Sequence, residues 1–301
     1  MSASKCIAIT GASGYVGAAL ACALESAGHK VIKLGRVQSD SELSLNWNLA
    51  DSQDLADPLR RRNTEVLVHC AYDFTTHGPR GERLNIEGSG RLLDSFRRSG
   101  GQTAILISTM SAFVNTRSQY GIVKCAIERL FSQKNEYSLR LGLIFGNNPR
   151  GMVGALVKVT SILRFAIPMI GSGRYRLHTL HIDDLCIAVQ RLIEAPEISD
   201  AHFEAGSILT IADPASIEFR DIVGLLAHAR GLKPKLIPIP WRLVWLVLKF
   251  AESLGIRGRL RADGIIGLVY SDPAPNIDAS VLRRLGLNEP RSLRSLAAGT
   301  S

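Results

Sequence analysis

Short apolar runs alternate with stretches of helical spacing through the first half of the chain. "KCIAIT" (5–10), "HKVIKLG" (29–35), "EVLVHCA" (65–71), "TAILIST" (103–109) and "YSLRLGLIFG" (137–146) read as buried strands bounded by turn residues. Between them, "GYVGAALACALESAG" (14–28), "ADPLRRR" (56–62), "LNIEGSGRLLDSFRRSG" (84–100) and "SQYGIVKCAIERLFSQ" (118–133) read as helices. Gly28 ends the first of these as a C-cap residue. Strand–helix alternation of this kind predicts an α/β chain with a doubly wound parallel sheet and helices on both faces.

The pattern weakens after Gly146. Residues 147–180 hold glycines, Pro149, Pro168 and one helix candidate near 153–165. "DLCIAVQRLIEAP" (184–196) is helical again and "AHFEAGSILTIAD" (201–213) is strand-like. We expect a sheet domain over residues 1–150, with 181–212 returning to it, and a smaller cap built from 151–180 and 213–301. The most apolar helix candidate is "WRLVWLVLKFAESLG" (241–255). Its unbroken apolar run, Leu243 to Leu248, falls far short of the ~20 residues that a spanning helix needs. Arg242, Lys249 and Glu252 can share a polar stripe, so a packed helix is expected, with contact to a membrane surface as the alternative.

Composition narrows the picture. Of the 301 residues, 46% are hydrophobic and 21% charged, which excludes a disordered chain. A formal net charge of +9 favours anionic ligands without choosing among them. Arg60, Arg61 and Arg62 have no aromatic residues interleaved, so they read as a solvated helix end and no nucleic-acid partner is expected. Cys6, Cys22, Cys70, Cys125 and Cys186 form no CxxC pair and are odd in number, as expected of free thiols in a reducing cytosol. No signal peptide is expected ahead of the first strand, and the expected location is cytoplasmic. No His, Cys, Asp or Glu set has metal-ligand spacing, so no metal is expected.

The strongest ligand motif is "TGASGYVG" (10–17), which follows a strand and opens a helix. Gly11 allows a tight turn, Gly14 lets the backbone approach a pyrophosphate, and Gly17 allows close helix–sheet packing. The helix N-terminus offers unpaired N–H groups to phosphate. At the end of the second strand, a carboxylate would bind a ribose 2′-hydroxyl; the chain has Gly35 and Arg36 instead. Arg36 can pair with a 2′-phosphate, which favours NADP over NAD.

Tyr120 and Lys124 stand four apart on one predicted helix and share a face. At ~4 Å and an effective dielectric of ~20, an ammonium favours the phenolate by up to ~4 kcal/mol. That is enough to draw a phenol toward the range of efficient proton transfer. Thr109 ends the preceding strand and its hydroxyl can reach the same substrate oxygen, with Ser108 and Ser111 as neighbours.

These motifs together resemble the extended short-chain dehydrogenase/reductase family, the NAD-dependent epimerase/dehydratase group that contains nucleotide-sugar epimerases and 4-ketoreductases. The resemblance spans nearly the whole chain. It includes "TGASGYVG", "VLVHCAY", "LNIEG", "ISTMSAF" with "YGIVK", "LRLGLIFG", "LHIDDL" and the tail "NIDASVLRRLGLNEPRSLRS". It implies a Rossmann-type fold with a substrate-binding cap, and a homodimer. It implies Tyr120 as acid/base, Lys124 as the residue that lowers its pKa and holds the nicotinamide ribose, and Thr109 as the residue on the reacting oxygen. It also implies cofactor contacts at Gly11, Ser13, Gly14, Tyr15, Val16, Gly17, Arg36, Asn48, Leu49, Cys70, Ala71, Tyr72, Asn85, Ser108 and Leu143. Substrate contacts are implied at Asp73, Thr109, Ser111, Arg174 and Arg176.

The chain departs from the family at several places. Asn48 stands at the adenine-facing aspartate position, Phe113 replaces a tyrosine and Leu141 a proline. Leu177 stands where many nucleotide-sugar members carry the arginine that holds the sugar-nucleotide diphosphate, with Arg174 and Arg176 displaced from it. His181 and Asp184 belong to a segment that is chiefly structural, and His69 reads as a core or cofactor-side residue. The expected activity is 4-ketoreduction or 4-epimerisation of a nucleotide-sugar with NADP or NAD. The alternatives are reduction of a small apolar ketone, steroid- or flavonoid-like, and a non-catalytic NAD(P)-sensing role on the same fold.

Overall fold

The computed structural model describes residues 3–36, 41–163, 165–195, 203–256 and 260–298. The first half runs β1 (Cys6–Thr10), α1 (Tyr15–Ser26), β2 (Lys30–Gly35), β3 (Ser44–Asn46), α2 (Ala56–Arg61), β4 (Val66–His69), α3 (Gly78–Ser99), β5 (Thr103–Thr109), α4 (Gln119–Glu128) and β6 (Glu136–Leu141). Then come β7 (Leu143–Phe145), α5 (Gly151–Ile162), β8 (Ala166–Ile170), β9 (Arg176–Leu177), β10 (Thr179–His181), α6 (Ile182–Glu194) and β11 (Ile208–Ile211). The chain continues through β12 (Ile217–Glu218), α7 (Phe219–His228), β13 (Lys235–Ile239), α8 (Trp241–Ser253), α9 (Ala262–Val269), α10 (Ala279–Arg284) and α11 (Leu293–Ala298).

Seven parallel strands form the central sheet in the order β11-β6-β5-β4-β1-β2-β3. The strands alternate their side chains between two cores, as the two-residue repeat of a strand requires. Ile7, Ile9, Val66, Val68, Ile105 and Ile107 face α1 and α6, while Ala8, Leu67, Ala104 and Leu106 face α2, α3 and α4. Strand order reverses between β1 and β4, where Thr10 stands beside His69. A crevice opens at such a switch point, outside the carboxyl ends of the strands.

A third core belongs to the cap. It gathers Val153 and Leu156 of α5, Ile167 and Met169 of β8, Phe219 and Ile222 of α7, and Ile265 and Leu268 of α9. Three small strand pairs frame it: β10 with β7, β12 with β9, and β13 with β8.

Several elements differ from expectation. The run 137–146 breaks at Gly142, so β6 stays in the sheet and β7 leaves to pair with β10. Three chain segments cross there: a Cβ at Gly142 would lie 2.8 Å from the His178 carbonyl oxygen and 2.9 Å from the Ala212 Cβ. Helix α3 begins at Gly78 rather than 84, α4 ends at Glu128 rather than 133, and β11 covers only Ile208–Ile211. Pro196 and residues 201–202 of the expected elements lie outside the described residues. Strands β3, β8, β9, β10, β12 and β13 were not expected; each is at most five residues long and sits in weakly patterned sequence.

The C-terminal boundary also needs correction. Leu282, Leu285 and Leu287, in and after α10, pack in the sheet-side core rather than in the cap. Asp184 of α6 holds this tail, accepting from the Arg291 backbone N–H at 2.7 Å and pairing with its guanidinium. Helix α8 packs on the cap core through Trp241, Val244, Trp245 and Leu248, although none of its residues is fully buried. Apolar residues nearly encircle it, whereas the cap core covers only one side. Among the described residues, no helix is long and apolar enough to cross a membrane.

Candidate active site

The glycine turn is built as its spacing predicts. Gly11 has φ +66°, in the left-handed region, and Gly14 donates its N–H to the Gly11 carbonyl at 2.8 Å. A Cβ at Gly17 would lie 2.3 Å from that same carbonyl oxygen, so the helix sits against the turn only because Gly17 lacks a side chain. Helix α1 has no side-chain cap and no acidic residue in its first turn. Its first N–H groups and the positive end of its dipole are therefore open to a phosphate. Arg150 stands beside them and donates to the Ser13 carbonyl at 3.3 Å. These features fit the pyrophosphate of a dinucleotide.

A buried polar chain fixes the floor of the crevice. The Thr10 hydroxyl oxygen accepts the N–H groups of Cys70 (3.0 Å) and Ala71 (3.1 Å). Its proton then goes to His69 Nδ1 at 2.8 Å. The Ser89 hydroxyl donates to the Asn85 carbonyl, so His69 Nε2 donates to Ser89 at 2.9 Å. This assigns one neutral tautomer, and burial brings the His69 pKa down to about 3. His69 is a buried bracket between β1, β4 and α3 and is not a base.

Lys124 is only 2% exposed. Its ammonium donates to the Ile107 carbonyl at 2.7 Å and lies 5.5 Å from the centroid of the Tyr72 ring. Burial brings its pKa down to about 8, against the opposing pull of Cys70 and Glu128. The Tyr120 ring is half-buried, edge-on to Tyr72 with centroids 4.8 Å apart and 5.4 Å from Phe74. Burial, then Tyr72, pushes the phenol upward. The expected depression by Lys124 is thus reversed: the ammonium is turned to a backbone carbonyl, and desolvation of the phenol dominates. Thr109 accepts the Ser111 N–H at 3.2 Å, which leaves its own proton to donate. Gly121 permits this assembly, since a Cβ there would lie 2.1 Å from the Ser111 carbonyl oxygen.

Every nominated residue except Arg174 lines one cleft of about 1720 Å³. Arg174 is exposed and lies outside it, whereas Arg176 lines it while donating to Ser216 at 3.2 Å. Four side chains on the cleft are committed elsewhere. The Asn85 amide brackets the Asp73 backbone and the Gly81 carbonyl. The Asn48 amide is shared between Asp51 and the Ala50 N–H. The Ser108 hydroxyl donates to Glu128 at 2.5 Å, and Glu128 also binds Arg140 through two hydrogen bonds. The Asp73 carboxylate is partly buried, yet hydrogen bonds from Thr75 and Thr76 hold its pKa at about 2, closing a turn rather than facing substrate. Burial pushes the Cys70 thiol up to about 12.

Sequence reasoning missed the cap's share of the site. Leu156, Val159, Ile167, Met169, Phe219 and Leu268 wall the far side of the cleft together with Leu177. It also missed Asp263, the carboxylate that caps the helix carrying Tyr120. An acid opening an apolar run in "RADGIIGLV" signals a helix start, but not that it caps a different helix.

A family model described as "NAD dependent epimerase/dehydratase family" matches residues 7–206. An uncharacterised protein of Mycobacterium tuberculosis is 28% identical over 281 residues, covering 92% of this chain; the chain spans 27% of that relative. A ketoreductase of Stigmatella aurantiaca, named for a farnesylated dihydroquinoline oxide, is 24% identical over 82% of this chain and 79% of its own. The fold is also that of a UDP-glucose 4-epimerase from Stenotrophomonas maltophila with bound NAD and formylated UDP-arabinopyranose. That structure has a TM-score of 0.68 and 16% identity, covering 98% of this chain and 96% of the other.

Proposed function

Because the chain belongs to the NAD-dependent epimerase/dehydratase family, we propose that it interconverts a ketone and a secondary alcohol, with Tyr120 moving the hydroxyl proton. The observation that carries this reading is that Tyr120, Thr109 and Lys124 line the same cleft as the Gly11–Gly17 turn. A bound nicotinamide cofactor supplies or removes the hydride at the carbonyl carbon. The α1 N-terminus and Arg150 would hold its diphosphate, and Lys124 its nicotinamide ribose. Arg36, with no carboxylate at the end of β2, favours NADPH. Thr109 donates to the carbonyl oxygen, and Tyr120 delivers its proton as negative charge develops there. A phenol whose pKa is raised stays protonated at neutral pH, which suits reduction of the ketone.

The cap wall favours a large apolar ketone. Leu177 faces the cleft where a diphosphate-binding arginine would be expected, and Leu156, Val159, Phe219 and Leu268 surround it with apolar surface. The Stigmatella relative, a named ketoreductase of a prenylated substrate, supports the same direction. Arg176 on the cleft supports a second reading, 4-ketoreduction or 4-epimerisation of a nucleotide-sugar. The test is incubation with NADPH or NADH and either polycyclic apolar ketones or UDP-hexoses, following cofactor oxidation and sugar epimers. Ketone-dependent oxidation of NADPH is expected. Epimer formation without net cofactor use would select the second reading, and no turnover of either class would contradict an enzymatic role.

A further inference from the structure

Helix α8 has an unusual outer surface. At about 100° per residue, Leu243, Leu246, Val247, Phe250 and Leu254 fall on the side opposite its packing face. They are 53%, 59%, 59%, 65% and 62% exposed, respectively. Trp241, Val244, Trp245 and Leu248 on the other side pack against the cap core. No charge interrupts the outer face; Arg242 and Lys249 flank it, with Lys249 4.0 Å from Glu252. Between residues 230 and 261 the chain carries eight lysines and arginines and a single acid, Glu252. A slot of about 400 Å³ opens beside this face, lined by Trp241, Trp245, Leu246, Ile266 and Arg242. The cap shows a further exposed aromatic in Phe165, 89% exposed, whose carbonyl accepts from the Lys235 N–H.

We propose that α8 docks the cap onto an anionic lipid surface, its outer face seated among acyl chains and its flanking cations on the headgroups. At 13 residues the helix is about 20 Å long and lies in the interface rather than across it. Charge selects the occupant. A two-fold contact between copies would bring Arg242 and Lys249 of each α8 together with only Glu252 to offset them, whereas anionic headgroups neutralise them. The inner face of the same helix contributes Val244 to the cleft wall, so docking would set the substrate cleft next to the phase where an apolar ketone dissolves. That last consequence rests on the substrate reading above; the docking does not.

The test is co-sedimentation of the full chain with vesicles of phosphatidylcholine, alone or mixed with phosphatidylglycerol, alongside light scattering without vesicles. The wild-type chain is expected to bind the anionic vesicles at least about tenfold more tightly than the neutral ones, and less tightly in high salt. Phe250→Ser should weaken binding about tenfold, and Leu246→Ser with Phe250→Ser about a hundredfold. Both variants should melt at or above the wild-type temperature and keep their reductase activity on a soluble ketone. Absence of vesicle binding, or undiminished binding by both variants, would overturn the proposal. A wild-type dimer that the variants convert to monomer would overturn it too, making a second copy the occupant. Vesicle binding in a chain that reduces no ketone would uphold docking and defeat the substrate reading.

Discussion

The carboxylate of Asp263, in the first turn of α9, accepts the backbone N–H of Tyr120 at 3.0 Å. It also accepts the Gln119 N–H at 2.7 Å and the Ser118 hydroxyl at 2.8 Å. The cap thus supplies the negative charge at the N-terminus of the helix that carries the proposed acid. Removing it should loosen α4 by about 1–2 kcal/mol, as loss of an N-cap does. Asp263→Ala is expected to lower the melting temperature and to cut kcat about tenfold. Asp263→Asn keeps one acceptor oxygen but loses the charge and faces its amide N–H group toward another donor, so it should recover only part of both. Thermal melts and ketone-reduction kinetics on the two variants check this.

Gly121 makes a second prediction about the same helix. With no room for a Cβ against the Ser111 carbonyl, Gly121→Ala must push α4 away from the loop after β5. Overpacking of this kind costs about 1–3 kcal/mol. A displacement near 1 Å at Tyr120 would cost about a hundredfold in turnover. Cofactor affinity, measured by fluorescence titration, should fall less than turnover, since Lys124 shifts with the same helix while the Gly11–Gly17 turn stays in place.

Lys124 links pH to stability. Its pKa is about 8 in the folded chain, below the ordinary lysine value of 10.5. Between those two values the unfolded chain holds a proton that the folded chain has released. Stability contributed through this group therefore rises as pH increases from about 8 to about 10.5. Lys124→Met removes the buried charge. It should melt higher than the wild type at pH 7, lose that advantage as pH approaches 10.5, and have little reductase activity. Melting curves across the pH range measure it.

Arg36 governs the choice of cofactor in this account. Arg36→Glu should weaken NADPH binding by about tenfold or more and leave NADH binding equal or improved. Dissociation constants for both cofactors with the wild type and the variant decide it.

The readable part of the sequence was the local part. The turn from β1 into α1 declared itself because strand, glycines and helix are contiguous, and Tyr120 and Lys124 because four residues make one helical turn. Outcomes set by distant partners were not legible. Ser108 looked available until Glu128, twenty residues on, took its hydroxyl. Asn85 looked like a cofactor ligand, but the Asp73 backbone claims its amide. The direction of the Tyr120 shift depends on how deeply Tyr72 and the cap bury it, which spacing along one helix does not encode. Arg174 and Arg176 differ because the turn between Gly171 and β9, with left-handed Gly171 and Gly173, leaves only the latter on the cleft. The cap was least legible, since its strands are short and its apolar positions serve the core and the cleft wall at once.

The central claim is that the Tyr120 phenol moves the proton during hydride exchange. Tyr120→Phe removes a single oxygen from a ring held by Tyr72 and Phe74, so the fold and the cofactor site should persist. Pre-steady-state oxidation of bound NADPH by a ketone substrate is the direct measurement. The rate should fall about 10²–10⁴-fold, with the NADPH dissociation constant unchanged. A Tyr120→Phe protein that oxidises NADPH as fast as the wild type would contradict the account.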